Sequence, residues 1–211
     1  IRALKNDGDS LIWIGTVQGG LFKFDGSEWT NYTPENSGIG DFLVRAIEID
    51  MNGHIWVATT EGLFVYDRNI WISWTNNDGL LSNNISSICA GSDKIYVGSI
   101  NGGVLYFDTS NNYTNHTIIS SGIPDNSVLD IKIDSEGKPW FISPAAGLIV
   151  DLGNGGPWGS FNTVNSDMPA ISLLCVMHGT QGEIFIGSES NGLLTKVENE
   201  YLQLTTSNSN I

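Results

Sequence analysis

An all-β protein, a β-propeller of five four-stranded antiparallel blades, is the fold the sequence predicts, and three recurring landmarks predict it. An aromatic residue stands at Trp13, Trp56, Tyr96, Trp140 and Phe185, at spacings of 43, 40, 44 and 45 residues. A Gly-apolar pair follows as Gly20-Leu21, Gly62-Leu63, Gly103-Val104, Gly147-Leu148 and Gly192-Leu193. A second aromatic comes next, at Trp29, Trp71, Tyr113, Trp158 and Tyr201. Landmarks held in one order over a period of roughly 40–45 residues mark a repeat architecture, and four short strands per repeat of that length make a propeller blade.

The elements of one blade are clearest in the second copy. The first strand is VRAIEID, and Asp50-Met51-Asn52-Gly53 turns the chain. The same D-x-x-G turn returns at Asp134 to Gly137. Gly supplies a positive φ there, and Asp bonds back to its own backbone. The second strand is IWVATT, Glu61-Gly62 divides it from GLFVYD, and RNI leads into WISWT. Runs of β-branched and aromatic residues between Gly, Asn and Asp are strand signals. No stretch holds a 3.6-residue apolar period over ten residues, so helix is expected to be nearly absent.

The blades fall at about 1–42, 43–84, 85–127, 128–172 and 173–211, in one domain. Copy four departs from the pattern with FISPAAGL, and copy five keeps mainly IFIGSESNGLL. The aromatics, including most of the seven Trp, are expected to pack blade face on blade face, because a four-stranded sheet cannot bury both its faces alone. The copies share one phase at both ends: Ile1 begins a first strand, and Ile211 aligns with Ile39, Leu80 and Ile123. No blade is split between the chain ends. Either five blades close on one another, or they are part of a larger ring.

These copies resemble the two-component-regulator propeller repeat. IRALKNDGDSLIWIGTVQGGLFKFD, with Trp29, Tyr32-Thr33 and Gly38-Ile39, and VRAIEIDMNGHIWVATTEGLFVYD, with Trp71, Trp74-Thr75 and Gly79-Leu80, carry the resemblance most fully. It implies a sensor module, of the kind found in the periplasmic part of hybrid histidine kinases of Bacteroidetes and in related surface and secretion proteins. It also implies a periplasmic or cell-surface address, carbohydrate as the ligand class and seven as the commoner blade number. No kinase, membrane-spanning or DNA-binding segment accompanies it, so the resemblance implies sensing or scaffolding and not signalling output.

Composition sets the outer bounds. The formal charge is −14, from 23 acidic and 9 basic residues. That argues against nucleic acid, whose binders cluster Lys and Arg, and against anionic membrane surfaces. It suits neutral sugars or cations. No apolar run approaches the 18 residues or so of a spanning segment. A start at Ile1, without Met or a signal peptide, reads as a mature, trimmed or excerpted chain. Cys89 and Cys175, in apolar first strands, are expected to be reduced and buried.

In a propeller, the second-to-third turns and the blade-to-blade links share one end, where loops converge on the central opening. The candidate ligand-binding residues are those of that end: Gln18, Asp41, Glu61, Asn83, Asn101, Asn126, Glu189 and Asn191. Their types suit hydrogen bonding to a polyol, and they are also the residues any turn prefers. Trp74 and Tyr32 are candidates to stack on a sugar ring or to pack a seam. His54, His116 and His178 occupy different places in their copies, with no spacing for a zinc site. Neither a nucleophile elbow nor a phosphate loop is present, and no catalytic residue, metal or cofactor is expected. Asn76-Asn77-Asp78-Gly79 lacks the distal Glu of a calcium loop and reads as a turn. The N-x-S/T matches at Asn31, Asn84, Asn112 and Asn115 carry no meaning in a bacterial, Asn-rich chain. The leading reading is a non-enzymatic sensor binding an oligosaccharide. A structural or assembly scaffold docking a protein partner through the propeller face is the first alternative, and a lyase or hydrolase the second; a homo-oligomer and missing neighbouring blades or domains are further candidate partners.

Overall fold

Alternation of apolar and polar residues, cut by Gly and Asp turns, produces twenty strands among the described residues of the computed structural model. It describes residues 1–8, 10–108, 112–151, 158–170, 172–180, 182–197 and 200–209. Blade 1 holds β1 (Ala3–Asp7), β2 (Leu11–Gly15), β3 (Leu21–Phe24) and β4 (Trp29–Tyr32). Blade 2 holds β5 (Val44–Ile49), β6 (Ile55–Thr59), β7 (Leu63–Tyr66) and β8 (Trp71–Trp74). Blade 3 holds β9 (Ile85–Ala90), β10 (Lys94–Ser99), β11 (Gly103–Asp108) and β12 (Tyr113–His116). Blade 4 holds β13 (Asp130–Ile133), β14 (Pro139–Ser143), β15 (Gly147–Val150) and β16 (Gly159–Phe161). Blade 5 holds β17 (Leu173–His178), β18 (Ile184–Ser188), β19 (Leu193–Val197) and β20 (Glu200–Leu204). Every sheet is an antiparallel meander in chain order. Among the described residues, helix is limited to one 3₁₀ turn at Asn76–Asp78, with a capping box of Thr75 and Asp78 at its start and Gly79 as its C-cap. That is the segment that faintly resembles a calcium loop in sequence. No helix among the described residues is long and apolar enough to cross a membrane.

The first strands are innermost, and they pack side by side in the order β1, β5, β9, β13, β17. Four apolar seams weld the blades. Trp13 and Leu21 of blade 1 meet Ile47, Val57 and Phe64 of blade 2. Trp56 and Val65 of blade 2 meet Ile88, Val97 and Phe107 of blade 3. Tyr96 and Val104 of blade 3 meet Ile131, Phe141 and Ile149 of blade 4. Ile142 and Leu148 of blade 4 meet Val176, Ile186 and Leu194 of blade 5. Each large side chain so buried contributes about 1.5–3 kcal/mol. Among the described residues no seam of comparable extent joins blade 5 to blade 1, so the five blades form an arc and not a closed five-membered ring. Ile211 lies outside the described residues.

The recurring Asp of the D-x-x-G turn does more than shape the turn. Asp50 Oδ1 accepts from the amides of Asn52 and His54, while Oδ2 accepts from Trp56 Nε1 at 3.0 Å. The same bond joins Asp7 to Trp13 at 2.9 Å and Asp134 to Trp140 at 2.8 Å. It ties the hairpin tip to the blade's landmark aromatic and satisfies an indole N–H that would otherwise be buried unpaired. Burial pushes the Asp134 carboxyl up, but the Trp140 indole and the turn amides outweigh it and hold it below its ordinary value.

Two expectations from sequence are corrected. Cys89 is buried, but Cys175 is exposed, because it lies on the face of blade 5 that no further blade covers. Trp29 does not pack a seam; it is 60% exposed and stacks only on its own blade's Phe24 and Phe22.

Candidate functional site

Turns on the loop-rich end are locked by their own sequence. In four of the five second-to-third turns, those of blades 1, 2, 3 and 5, Thr16, Thr59, Ser99 and Ser188 donate a hydroxyl to the carbonyl of Gly20, Gly62, Gly103 and Gly192 respectively, at 2.8–3.1 Å. Gly103 has φ 79°, and a Cβ there would strike the His116 carbonyl, so the recurring Gly is required by both conformation and space. The links start from a second repeated device. The amides of Thr33, Thr75, Thr117, Asn162 and Thr205 donate to Asn36, Asp78, Ser120, Asn165 and Asn208 at 2.7–3.0 Å.

Most of the eight candidate residues are engaged in this bracing. Asp41 Oδ1 accepts from the Leu43 amide, and Oδ2 accepts from the Thr60 amide and hydroxyl at 3.1 and 2.5 Å. Asp125 holds Ser143 of blade 4 in the same way, at 2.6 Å. Asn83 accepts from the Asn76 amide and Asn126 from the Ile118 amide, at 2.7 and 2.8 Å. Asn101, at φ 66°, accepts from the Ser127 hydroxyl at 3.0 Å. Asn191 accepts from Ser190 through its side chain and from Gln203 through its carbonyl. Gln18, Glu61 and Glu189 differ: they are exposed, and their side chains make no hydrogen bond among the described residues. Gln18 and Glu61 sit in equivalent turns of neighbouring blades. Glu189 lines a separate cleft in blade 5, with Ser188, Ser190 and Thr205.

Stacking candidates resolve as packing. Tyr32 lies against Trp13 and Trp71, each at 5.7 Å, and Trp74 lies against Phe107 at 5.1 Å and Tyr113 at 5.6 Å. The histidines are dispersed. His54 bonds Asp50 at the D-x-x-G end, while His116 and His178 pack on Trp158 and Trp140 in different seams. Among the described residues no group of three or more His, Cys, Asp or Glu is placed to hold a metal.

Arg2 and Arg45 belong to the same end, although sequence reasoning passed over them. Arg45 is the bulged residue between Val44 and Ala46 of β5. Arg2 stands in the equivalent place before β1, its amide continuing the ladder to the Gly15 carbonyl. The Val44 amide donates to the Thr16 carbonyl, which draws this segment against the Gln18 turn. Burial, and next the charge of Arg2, pull the Arg45 guanidinium below its ordinary value, with Asp41 opposing. The signal was visible as IRA and VRA opening the first two copies.

No family model and no curated protein sequence matches the chain. Among solved structures, it is similar to the extracellular domain of a one-component system of B. thetaiotaomicron, BT4673, at 17% identity and a TM-score of 0.79, over 97% of this chain and 31% of that one. It is similar to the extracellular domain of that organism's hybrid two-component system BT3049, at 20% identity and TM-score 0.74, over 100% and 34%. The chain has the fold of these propellers. It spans about a third of their length. Virginiamycin B lyase from Staphylococcus aureus shares the fold at 13% identity and TM-score 0.76, over 97% of this chain and 69% of the lyase.

Proposed function

We propose that the chain is a ligand-sensing propeller module from the extracytoplasmic part of a bacterial two-component regulator, that it recognises carbohydrate at its loop-rich end, and that it performs no chemistry on the ligand. The observation that carries this reading is the likeness over nearly the whole chain to two Bacteroides extracellular domains, joined to the repeat motifs of the same kind in the sequence. The site supports it as well. Gln18, Glu61 and Glu189 are left free on turns made rigid by Ser, Thr and Gly, which is how a binding surface is held ready for hydroxyl groups. The lyase likeness lends little to an enzymatic reading, because the three histidines lie apart in two seams and one hairpin and do not converge with the free acids.

The test is a glycan array on the purified chain, followed by calorimetry on the hits with wild type and Gln18→Ala/Glu61→Ala. Saturable binding weakened by the double variant is expected. A chain that binds no glycan, or that turns over an oligosaccharide, would defeat the reading.

A further inference from the structure

We propose that Arg2 and Arg45 form an anion-binding rim at the loop-rich end, built for the carboxylate or sulfate group of an acidic saccharide. The saccharide rests on the sensing function proposed above; the anion site rests on the residues themselves.

This acidic chain engages most of its nine cations in ion pairs or over aromatic rings. Lys5 pairs with Glu48, Arg68 with Asp7, Lys132 with Asp130 and Lys138 with Glu136. Lys94 and Lys196 lie over the rings of Tyr106 and Phe161. Among the described residues Lys23, the ninth cation, makes no ion pair either but acts by its charge on Asp7 and Asp25, whereas Arg2 and Arg45 make no ion pair and repel each other. Arg2 and Arg45 are set instead at equivalent places at the start of adjacent inner strands, Arg2 just before β1 and Arg45 in the bulge of β5. Like charges so placed repel each other. Arg45 Nε is moreover buried with no hydrogen-bond partner among the described residues, and a buried donor left unpaired is destabilising.

The nearby Asp41 offsets this only in part: its charge opposes that of Arg2, but among the described residues it makes no hydrogen bond to either guanidinium. Both oxygens of Asp41 are committed to Leu43 and Thr60. An anion seated between the two guanidinium groups would relieve the repulsion and the orphaned donor together. The guanidinium fork matches the two oxygens of a carboxylate or sulfate. Gln18 is exposed on the turn whose Thr16 carbonyl accepts from the Val44 amide, at the same end as the pair, and is assigned the hydroxyls of a sugar bearing that group. The equivalent positions of the other blades are Ser86, Leu129 and Leu174, so the charge is confined to one sector of the rim.

Calorimetric titration of the chain at low ionic strength, with inorganic sulfate and separately with D-glucuronate, tests this. Both should bind saturably, glucuronate the more tightly. Arg45→Gln and Arg2→Gln should each weaken binding about tenfold, while Lys23→Gln, away from the rim, should not. The Arg Nε–Hε resonances of the wild type should shift during the titration, a readout that needs no variant. Wild type that binds neither anion, or variants that all bind alike, would overturn the site. Binding of neutral glycans alone would overturn this inference and leave the sensing function standing. Sulfate binding through the pair with no glycan bound at all would do the reverse.

Discussion

Phe64 and Phe22 occupy the same place in the third strands of neighbouring blades, and their fates differ. Phe64 is 4% exposed in the seam between blades 1 and 2, with its ring against Gly40. Phe22 looks out from blade 1 toward no partner and is only partly covered. The contrast runs across the whole face. Trp71 is held between Tyr32 and Tyr66, whereas its counterpart Trp29 is mostly in solvent. Ile47 is buried, and its counterpart Leu4 is exposed. Blade 5 repeats this at the other end with Leu174, Cys175 and Met177, the last 58% exposed. A repeat sequence thus specifies which face of a blade is sticky, but the neighbour decides whether that face contributes to stability.

The sharpest way to break this comparison is to truncate both phenylalanines. Phe64→Ala should cost about 3–5 kcal/mol, as expected for a large aromatic removed from a sealed core. Phe22→Ala should cost less than half as much, because its face is already wet. Urea unfolding of the two variants gives both values on one scale. Equal losses would mean that the outward face of blade 1 is covered in solution, and the comparison would fail.

The two cysteines test the opposite end. Cys175 should react with a thiol reagent at close to the rate of a free thiol. Cys89, whose thiol burial pushes up, should react at least about a hundredfold more slowly under native conditions. Loss of the difference in urea would show that folding, and not intrinsic reactivity, produces it. Slow labelling of Cys175 would indicate a covered face.

A third contrast lies between hairpins. Blades 1, 2 and 4 have the Asp-to-Trp bond, while blade 3 has Gly91 and Tyr96 at those places. Asp50→Ala removes two amide bonds and the indole bond at once and should cost about 2 kcal/mol. Asp50→Asn, which keeps an acceptor, should cost less. A substitution at Ser92 in the blade 3 hairpin should cost little, since no such hub is there. Thermal unfolding of the three variants gives the ranking.

How much of this was readable beforehand depended on whether one residue type had one use. Trp13, Trp56 and Trp140 announced the blades, because a landmark aromatic in a strand has nowhere to go but a seam. Trp29 carried the same signal and ended in solvent, since its environment depends on a blade the local sequence does not describe. Asp41, Asn83, Asn101, Asn126 and Asn191 read as ligand contacts in sequence, and in the structure they also hydrogen-bond backbone amides and hydroxyls of the surrounding turns and links; short polar side chains serve both ends equally well. The Arg pair went unnoticed inside runs that read as strand, where periodicity says nothing about the charge of a bulged position. The Asp-to-Trp bond was legible in principle: the spacing of six residues recurs at Asp7 and Trp13, Asp50 and Trp56, and Asp134 and Trp140.

The smallest effect separates seam from surface by pH. His116 stacks on Tyr106 and meets Trp158 edge-on between blades 3 and 4, and His178 lies on Trp140 between blades 4 and 5. Each has a buried ring nitrogen without a partner, Nδ1 in His116 and Nε2 in His178. Burial lowers both below the ordinary imidazole value; Asp151 opposes this for His116 while Lys94 reinforces it, and Asp134 opposes it for His178. Folding therefore favours the neutral rings. As pH falls below about 6.5, the unfolded chain takes up protons that the folded chain refuses, and stability declines until the folded values are reached. Partial solvent contact screens the effect to well under about 1 kcal/mol per ring. Unfolding free energies at pH 7.0, 6.0 and 5.5 should drop for wild type and stay flatter for His116→Gln/His178→Gln, because only the wild type has seam imidazoles to protonate. An unchanged slope in the double variant would assign the decline to surface carboxylates and remove the seams from the pH response.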